Sequence, residues 1–160
     1  MRRVQKSSCV SVVVDAPVDD VWRVIADVRR TGEWSHECRS GEWLDGADAA
    51  APGVRFRGRN RARWWRWTRT CRIVVADPPS ELVWRTVPTR LIPDSTEWRI
   101  RLAPEGGGTR ITQSFEVVRA PRLLDPVYAL LIPDHRDRDA RLTDDLRRIG
   151  AVAAGRGVPL

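Results

Sequence analysis

Residues 15–35 read DAPVDDVWRVIADVRRTGEWS, and how that stretch is read decides the fold. Pro17 suits a first helical position, and Asp19 and Asp20 complement the positive end of a helix. Val18, Val21, Trp22, Ile25 and Val28 recur at helical spacing on one face, and residues 29–35 either end that helix or carry a short second one. Just before it, in SCVSVVVDAP, Val10, Val12 and Val14 alternate with Ser11 and Val13, the pattern of a strand with one face well buried. The chain therefore opens as a strand followed by one or two short helices.

After Ser35 the punctuation becomes that of an antiparallel sheet. HECRSGEWL, DGADAAAPG and VRFRGRN follow one another, with Gly and Pro between the apolar runs. A long strand is expected from Arg63 to Ala76, closed by DPPS, then strands over Glu81–Val87, Ser95–Leu102 and Thr109–Val118, with the turn APEGGG between the last two. Trp98, Ile100 and Leu102 alternate with Glu97, Arg99 and Arg101, so one face meets a core and the other meets water. Within this region RARWWRWTRT, residues 61–70, holds three tryptophans and four arginines. Rings beside cations suit a groove for single-stranded nucleic acid. In a strand, however, Trp65 and Trp67 share one face and Arg66 and Thr68 the other.

The tail changes period. Asp125 and Pro126 can cap and start a helix carrying Val127, Leu130 and Leu131, which Pro133 then breaks or kinks. Leu142, Leu146, Ile149 and Ala153 are spaced as the apolar stripe of a further helix. Run backwards, that stripe reaches Arg138 and His135, two polar side chains on an apolar face. Such a placement implies a hollow with polar contents, because buried unpaired polar groups are costly; the other reading is that the kink turns both outward to solvent.

The totals exclude several classes. A chain of 160 residues, 42% hydrophobic and 31% charged, fits one globular domain. A net charge of +7 and a pI of 10.7 raise the prospect of an acidic partner. Of 28 basic residues, though, only Lys6 is lysine, and the arginines are spread without a block of like charge, as expected of a solvated coat on a sheet. Cys9, Cys38 and Cys71 are odd in number and lack CxxC spacing, which argues against a disulfide framework and a zinc site. His36, Glu37 and Cys38 are strand neighbours that point to opposite faces, so no metal is expected. There is no nucleophile elbow and no phosphate or dinucleotide loop, and no cofactor is expected. With no long apolar run, a cytoplasmic protein without integral membrane association is expected, and a homodimer stays open.

Ala16–Pro17, Val21–Trp22 and Trp34 resemble the opening of the START-like or SRPBCC superfamily, in particular its polyketide cyclase/dehydrase and lipid-transport branch. FRGRNR before a strand with Trp67 and Cys71, then DPPSELVWR, TEWRIRL and GGTRITQ, extend the resemblance over residues 8–152. It implies an α+β helix-grip fold, in which a curved antiparallel sheet of six or seven strands wraps a long C-terminal helix around an apolar cavity. Residues 1–160 would form a single such domain, with an ordered core over 8–152 and flexible tails at 1–6 and 153–160. In this frame three ring-bearing residues belong to the concave wall or its packing, one of Trp64 and Trp65 is exposed or at a bulge, and Arg63, Arg66 and Arg69 lie at surface or rim.

The function so implied is binding of a hydrophobic or aromatic small molecule, a lipid or a polyketide-like compound. Its walls would draw on Trp43, Phe56, Trp67, Trp84, Trp98, Phe115 and Leu131, with His135 and Arg138 as polar anchors. The alternative is a polyketide cyclase or dehydrase. His135 would then abstract a proton next to a carbonyl, an arginine such as Arg138 or a tryptophan N–H would stabilise the enolate, and Asp134 or Asp137 would orient the imidazole. His36, the other histidine, stands where many relatives carry proline. A nucleic-acid or regulatory partner bound through the basic surface is the less favoured third reading. Asp139, Asp144 and Asp145 weaken any attraction of the last helix to an anionic lipid surface.

Overall fold

The computed structural model describes residues 5–121 and 137–156. Strand β1 (Ser7–Val14) leads through Pro17 into helix α1 (Val18–Ala26). Pro17 is the residue just outside α1, with φ −61° and ψ 148°, and its carbonyl accepts from the N–H groups of Asp20 and Val21 at 3.0 and 3.1 Å. The helix thus begins one position later than the sequence pattern suggests, the usual uncertainty of a helix end. Val21, Val24 and Ile25 turn inward. Asp27 then caps a short 3₁₀ helix, Val28–Glu33, by accepting from the Arg29 N–H at 3.1 Å.

Six further strands complete the sheet: β2 (Cys38–Trp43), β3 (Arg55–Ala62), β4 (Trp65–Asp77), β5 (Glu81–Thr86), β6 (Ser95–Glu105) and β7 (Gly108–Arg119). Their order is β1-β7-β6-β5-β4-β3-β2, with every neighbouring pair antiparallel. Register shifts at Cys38/Ser40, Ile73/Val75 and Ser95/Thr96 mark bulges, which bend strands and sharpen the curl of a sheet. The long central strand begins at Trp65 and not at Arg63, because Arg63 takes a left-handed φ of 54° and turns the chain out of β3. Trp64 sits in that turn, 74% exposed, which answers which of the two adjacent tryptophans leaves the wall.

The sheet closes on helix α2 (Asp139–Ala153), whose Leu142, Leu146 and Ile149 are buried as their spacing predicts. Leu146 and Ile149 join Val14, Val21, Ile25, Ile100 and Ile111 in one core between sheet, α1 and α2. The architecture is an α+β helix-grip fold. Close backbone approaches hold its seams. A Cβ on Gly32 would stand 2.1 Å from the Arg39 carbonyl oxygen, and one on Gly41 2.2 Å from that of Val28, so the 3₁₀ helix and β2 touch main chain to main chain. The expected helix start at Asp125–Pro126 lies outside the described residues. Among those residues, no helix is long and apolar enough to cross a membrane.

Candidate functional site

Strand alternation builds one wall. Trp65, Trp67, Arg69, Cys71 and Ile73 of β4 share a face and line a cavity of about 530 Å³ under the first turns of α2. Of the wall residues expected from sequence, Phe56, Trp67, Trp84 and Trp98 all line this space, and so does Arg138. Trp84 and Trp98 are cross-strand partners whose rings stack at 6.2 Å and 8°. Two expected wall residues stand one layer back. Trp43 meets Phe56 edge-on at 6.1 Å, and Phe115, 3% exposed, packs on Trp98 at 4.9 Å. Leu131, His135 and Asp134 lie outside the described residues. Asp137, the other proposed partner of His135, accepts from the Asp139 N–H at 3.2 Å at the start of α2.

Arg138 precedes α2, and its N–H donates to the Gln5 Oε1 at 2.7 Å. Its guanidinium lies over the rings of Phe115 and Trp98, 5.1 and 5.6 Å from their centroids. The residue is 9% exposed and its Nε has no hydrogen-bond partner. Burial pulls its pKa down, opposed by the nearby charges of Glu37 and Asp94, and a guanidinium stays protonated through such a shift. Arg69 corrects an expectation. It is no rim residue: its side chain is 10% exposed, on the Trp65–Trp67 face, with Nη1 3.1 Å from an Asp94 carboxylate oxygen and Nη2 3.0 Å from the Asp94 carbonyl. Its odd number alone, shared with Trp65 and Trp67, puts it inside.

The feature least visible in sequence joins His36 to Asp145. The His36 N–H donates to one Asp145 oxygen at 2.9 Å, and Nδ1 lies 2.6 Å from the other. Arg148 Nη1 reaches the first oxygen at 2.9 Å and the Trp34 carbonyl at 3.4 Å. Asp145 is 2% exposed and is not one of the solvent-facing acids expected on this helix. Burial, the largest effect, raises its pKa, against hydrogen bonding and charge from His36 and the charge of Arg148. The signal was available: Asp145 falls three after Leu142 and four before Ile149, on the buried stripe. His36 and Asp145 both border the cavity. The two cavity thiols have the opposite character. Burial pushes Cys38 up to about 11 and Cys71 up to about 12, so neither is a ready thiolate.

Similar architecture recurs among solved structures. Protein NE0264 of Nitrosomonas europaea is 13% identical, with a TM-score of 0.66 over 94% of this chain and 95% of its own. DR_A0006 of Deinococcus radiodurans is 17% identical, with a TM-score of 0.66 over 94% of this chain and 99% of its own. Ms6760 of Mycobacterium smegmatis is 16% identical, with a TM-score of 0.65 over 91% and 89%. At such identities the likeness is one of fold. No curated protein matches the sequence. Residues 5–147 match the family described as polyketide cyclase / dehydrase and lipid transport, which spans α1, the whole sheet and the cavity-facing turns of α2, and the chain belongs to that family.

Proposed function

We propose that this protein binds a hydrophobic, ring-bearing small molecule, lipid-like or polyketide-like, between the sheet and α2. The observation that carries the reading is the cavity. Its volume of about 530 Å³ falls within the roughly 300–1,000 Å³ of small-molecule sites. Phe56, Trp67, Trp84 and Trp98 offer ring faces for stacking, and Arg138 offers a buried cation with an unpartnered Nε. An apolar guest with an acidic or carbonyl end satisfies both. The basic-surface reading gains less support, because many strand arginines already meet carboxylates: Arg55 with Asp45, Arg57 and Arg59 with Glu42, Arg110 with Glu105.

Native mass spectrometry of freshly purified protein is expected to show a reproducible small-molecule adduct. Quenching of tryptophan fluorescence is expected to report saturable binding of 2-naphthoate, and Arg138→Met to weaken it by about tenfold, the scale of one charge-assisted hydrogen bond. Absence of both adduct and saturable quenching would sink the proposal. Arg138 also supports the second reading, a cyclase or dehydrase chemistry, since a buried guanidinium beside an aromatic wall suits a developing enolate. His135, the base first expected for it, lies outside the described residues.

A further inference from the structure

We propose that His36, held by Asp145, is a proton-abstracting base of this cavity, so that the protein enolises a ring-bearing carbonyl compound bound there; this rests on the cavity being a ligand site.

Asp145 grips His36 at two points, the backbone N–H and Nδ1, at 2.9 and 2.6 Å. The grip fixes both the position of the residue and the plane of its ring. Three N–H groups converge on the Asp145 oxygens, the His36 backbone N–H, Nδ1 in its protonated tautomer and Arg148; burial raises the Asp145 pKa, and these partners pull against it. With the proton on Nδ1, the lone pair is on Nε2, the ring nitrogen that Asp145 does not occupy. A purely structural clasp between the entry to β2 and α2 would be complete with the backbone N–H and Arg148. The imidazole adds a titratable group at the edge of an aromatic-walled space, its side chain 13% exposed.

The chemistry balances without any further reagent. The C–H bond next to the ligand carbonyl breaks, its proton passes to Nε2, and its electron pair forms the enolate double bond as the carbonyl electrons move onto oxygen. Asp145 stabilises the imidazolium through the Nδ1–H it already accepts, as an oriented carboxylate does for a catalytic histidine. Arg138, a cation in the same cavity, answers the charge on the enolate oxygen. Return of a proton from Nε2 to the same or a conjugated carbon gives exchange or isomerisation. His36 is the catalytic residue of this scheme and Asp145 its positioning residue.

The test uses 2-tetralone, a bicyclic ketone with acidic C–H bonds beside its carbonyl, dissolved in D₂O with the full chain. Proton NMR is expected to show wild-type protein accelerating loss of those C–H signals by about a hundredfold over buffer, and His36→Gln abolishing the acceleration while tryptophan quenching by 2-tetralone is retained. Asp145→Asn is expected to lower kcat for exchange with KM unchanged, a split that mere loosening of the fold would not give. In wild-type protein, ¹⁵N spectra of the two histidines are expected to show one imidazole as the Nδ1–H tautomer, which keeps the test open if a variant fails to fold. Bound 2-tetralone that exchanges no faster than in buffer, exchange undiminished in His36→Gln, or both imidazoles protonated only at Nε2 would each overturn the assignment. If 2-tetralone neither binds nor exchanges, and no adduct or 2-naphthoate binding is seen either, it is the ligand site itself that has failed.

Discussion

The two halves of α2 carry one apolar stripe to two different ends. Over the second half, Leu146, Ile149 and Gly150 are buried against β1 and α1, and a Cβ on Gly150 would fall 2.5 Å from the side chain of Val14. Over the first half, Leu142 and Asp145 roof a hollow, and Arg138 enters it just before the helix begins. What differs is the surface opposite: β1 approaches to contact, whereas the bulged central strands curve away. The periodicity that makes a helix bury one face thus says nothing about whether solid core or empty space receives it.

Substitutions on α2 can break or sharpen this contrast. Leu146→Ala is expected to lower unfolding stability by about 2–5 kcal/mol in a urea titration, because the void sits in close-packed surroundings. Leu142→Ala, which only enlarges an existing space, is expected to fall at or below the lower end of that range. Equal losses at the two positions would erase the distinction. Gly150→Ala is expected to destabilise by ~1–3 kcal/mol, since overpacking against Val14 outweighs the helix propensity gained.

Asp145→Asn tests the polar half through pH. Burial raises the Asp145 pKa above 3.8, so the folded chain holds that proton more tightly than the unfolded chain does. Its contribution to stability is complete below the ordinary aspartate pKa and is lost as pH climbs through the raised value. The stability difference between wild type and Asp145→Asn is therefore expected to shrink as pH rises from about 4, measured by thermal melts across that window. The smallest expected effect belongs to Arg138→Met, within about 1 kcal/mol, since a flexible apolar side chain can keep the packing on Trp98 and Phe115 without burying a charge.

The fold was legible because its signals are local and repeated. Valine alternation gave β1, the Pro17–Asp20 start gave α1, and Trp98–Leu102 declared a sheet with one wet face. The aromatic wall was legible in part: alternation separates Trp67 from Arg66, but whether a ring touches the hollow or backs it, as Trp43 and Phe115 do, depends on sheet curvature that no short window encodes. The pairing of His36 with Asp145 spans 109 positions, and the two are brought together only when α2 docks. Each had a local hint, a histidine beside Glu37 at the entry to a strand and an acid on an apolar stripe. Neither hint names the other.

The glycine contacts between the 3₁₀ helix and β2 have a consequence for traffic. A seam joined main chain to main chain, where a Cβ added at Gly32 or Gly41 would stand 2.1 or 2.2 Å from a facing carbonyl oxygen, has little slack with which to act as a hinge. Cavity residues that also see solvent stand elsewhere, among them Leu91, 90% exposed, and Trp65, 36% exposed. Leu91 and Trp65, and not that seam, thus supply side chains that both line the cavity and reach solvent. Binding of a guest of the kind proposed would be sensitive to substitution there before it is sensitive to any shift of the 3₁₀ helix against β2.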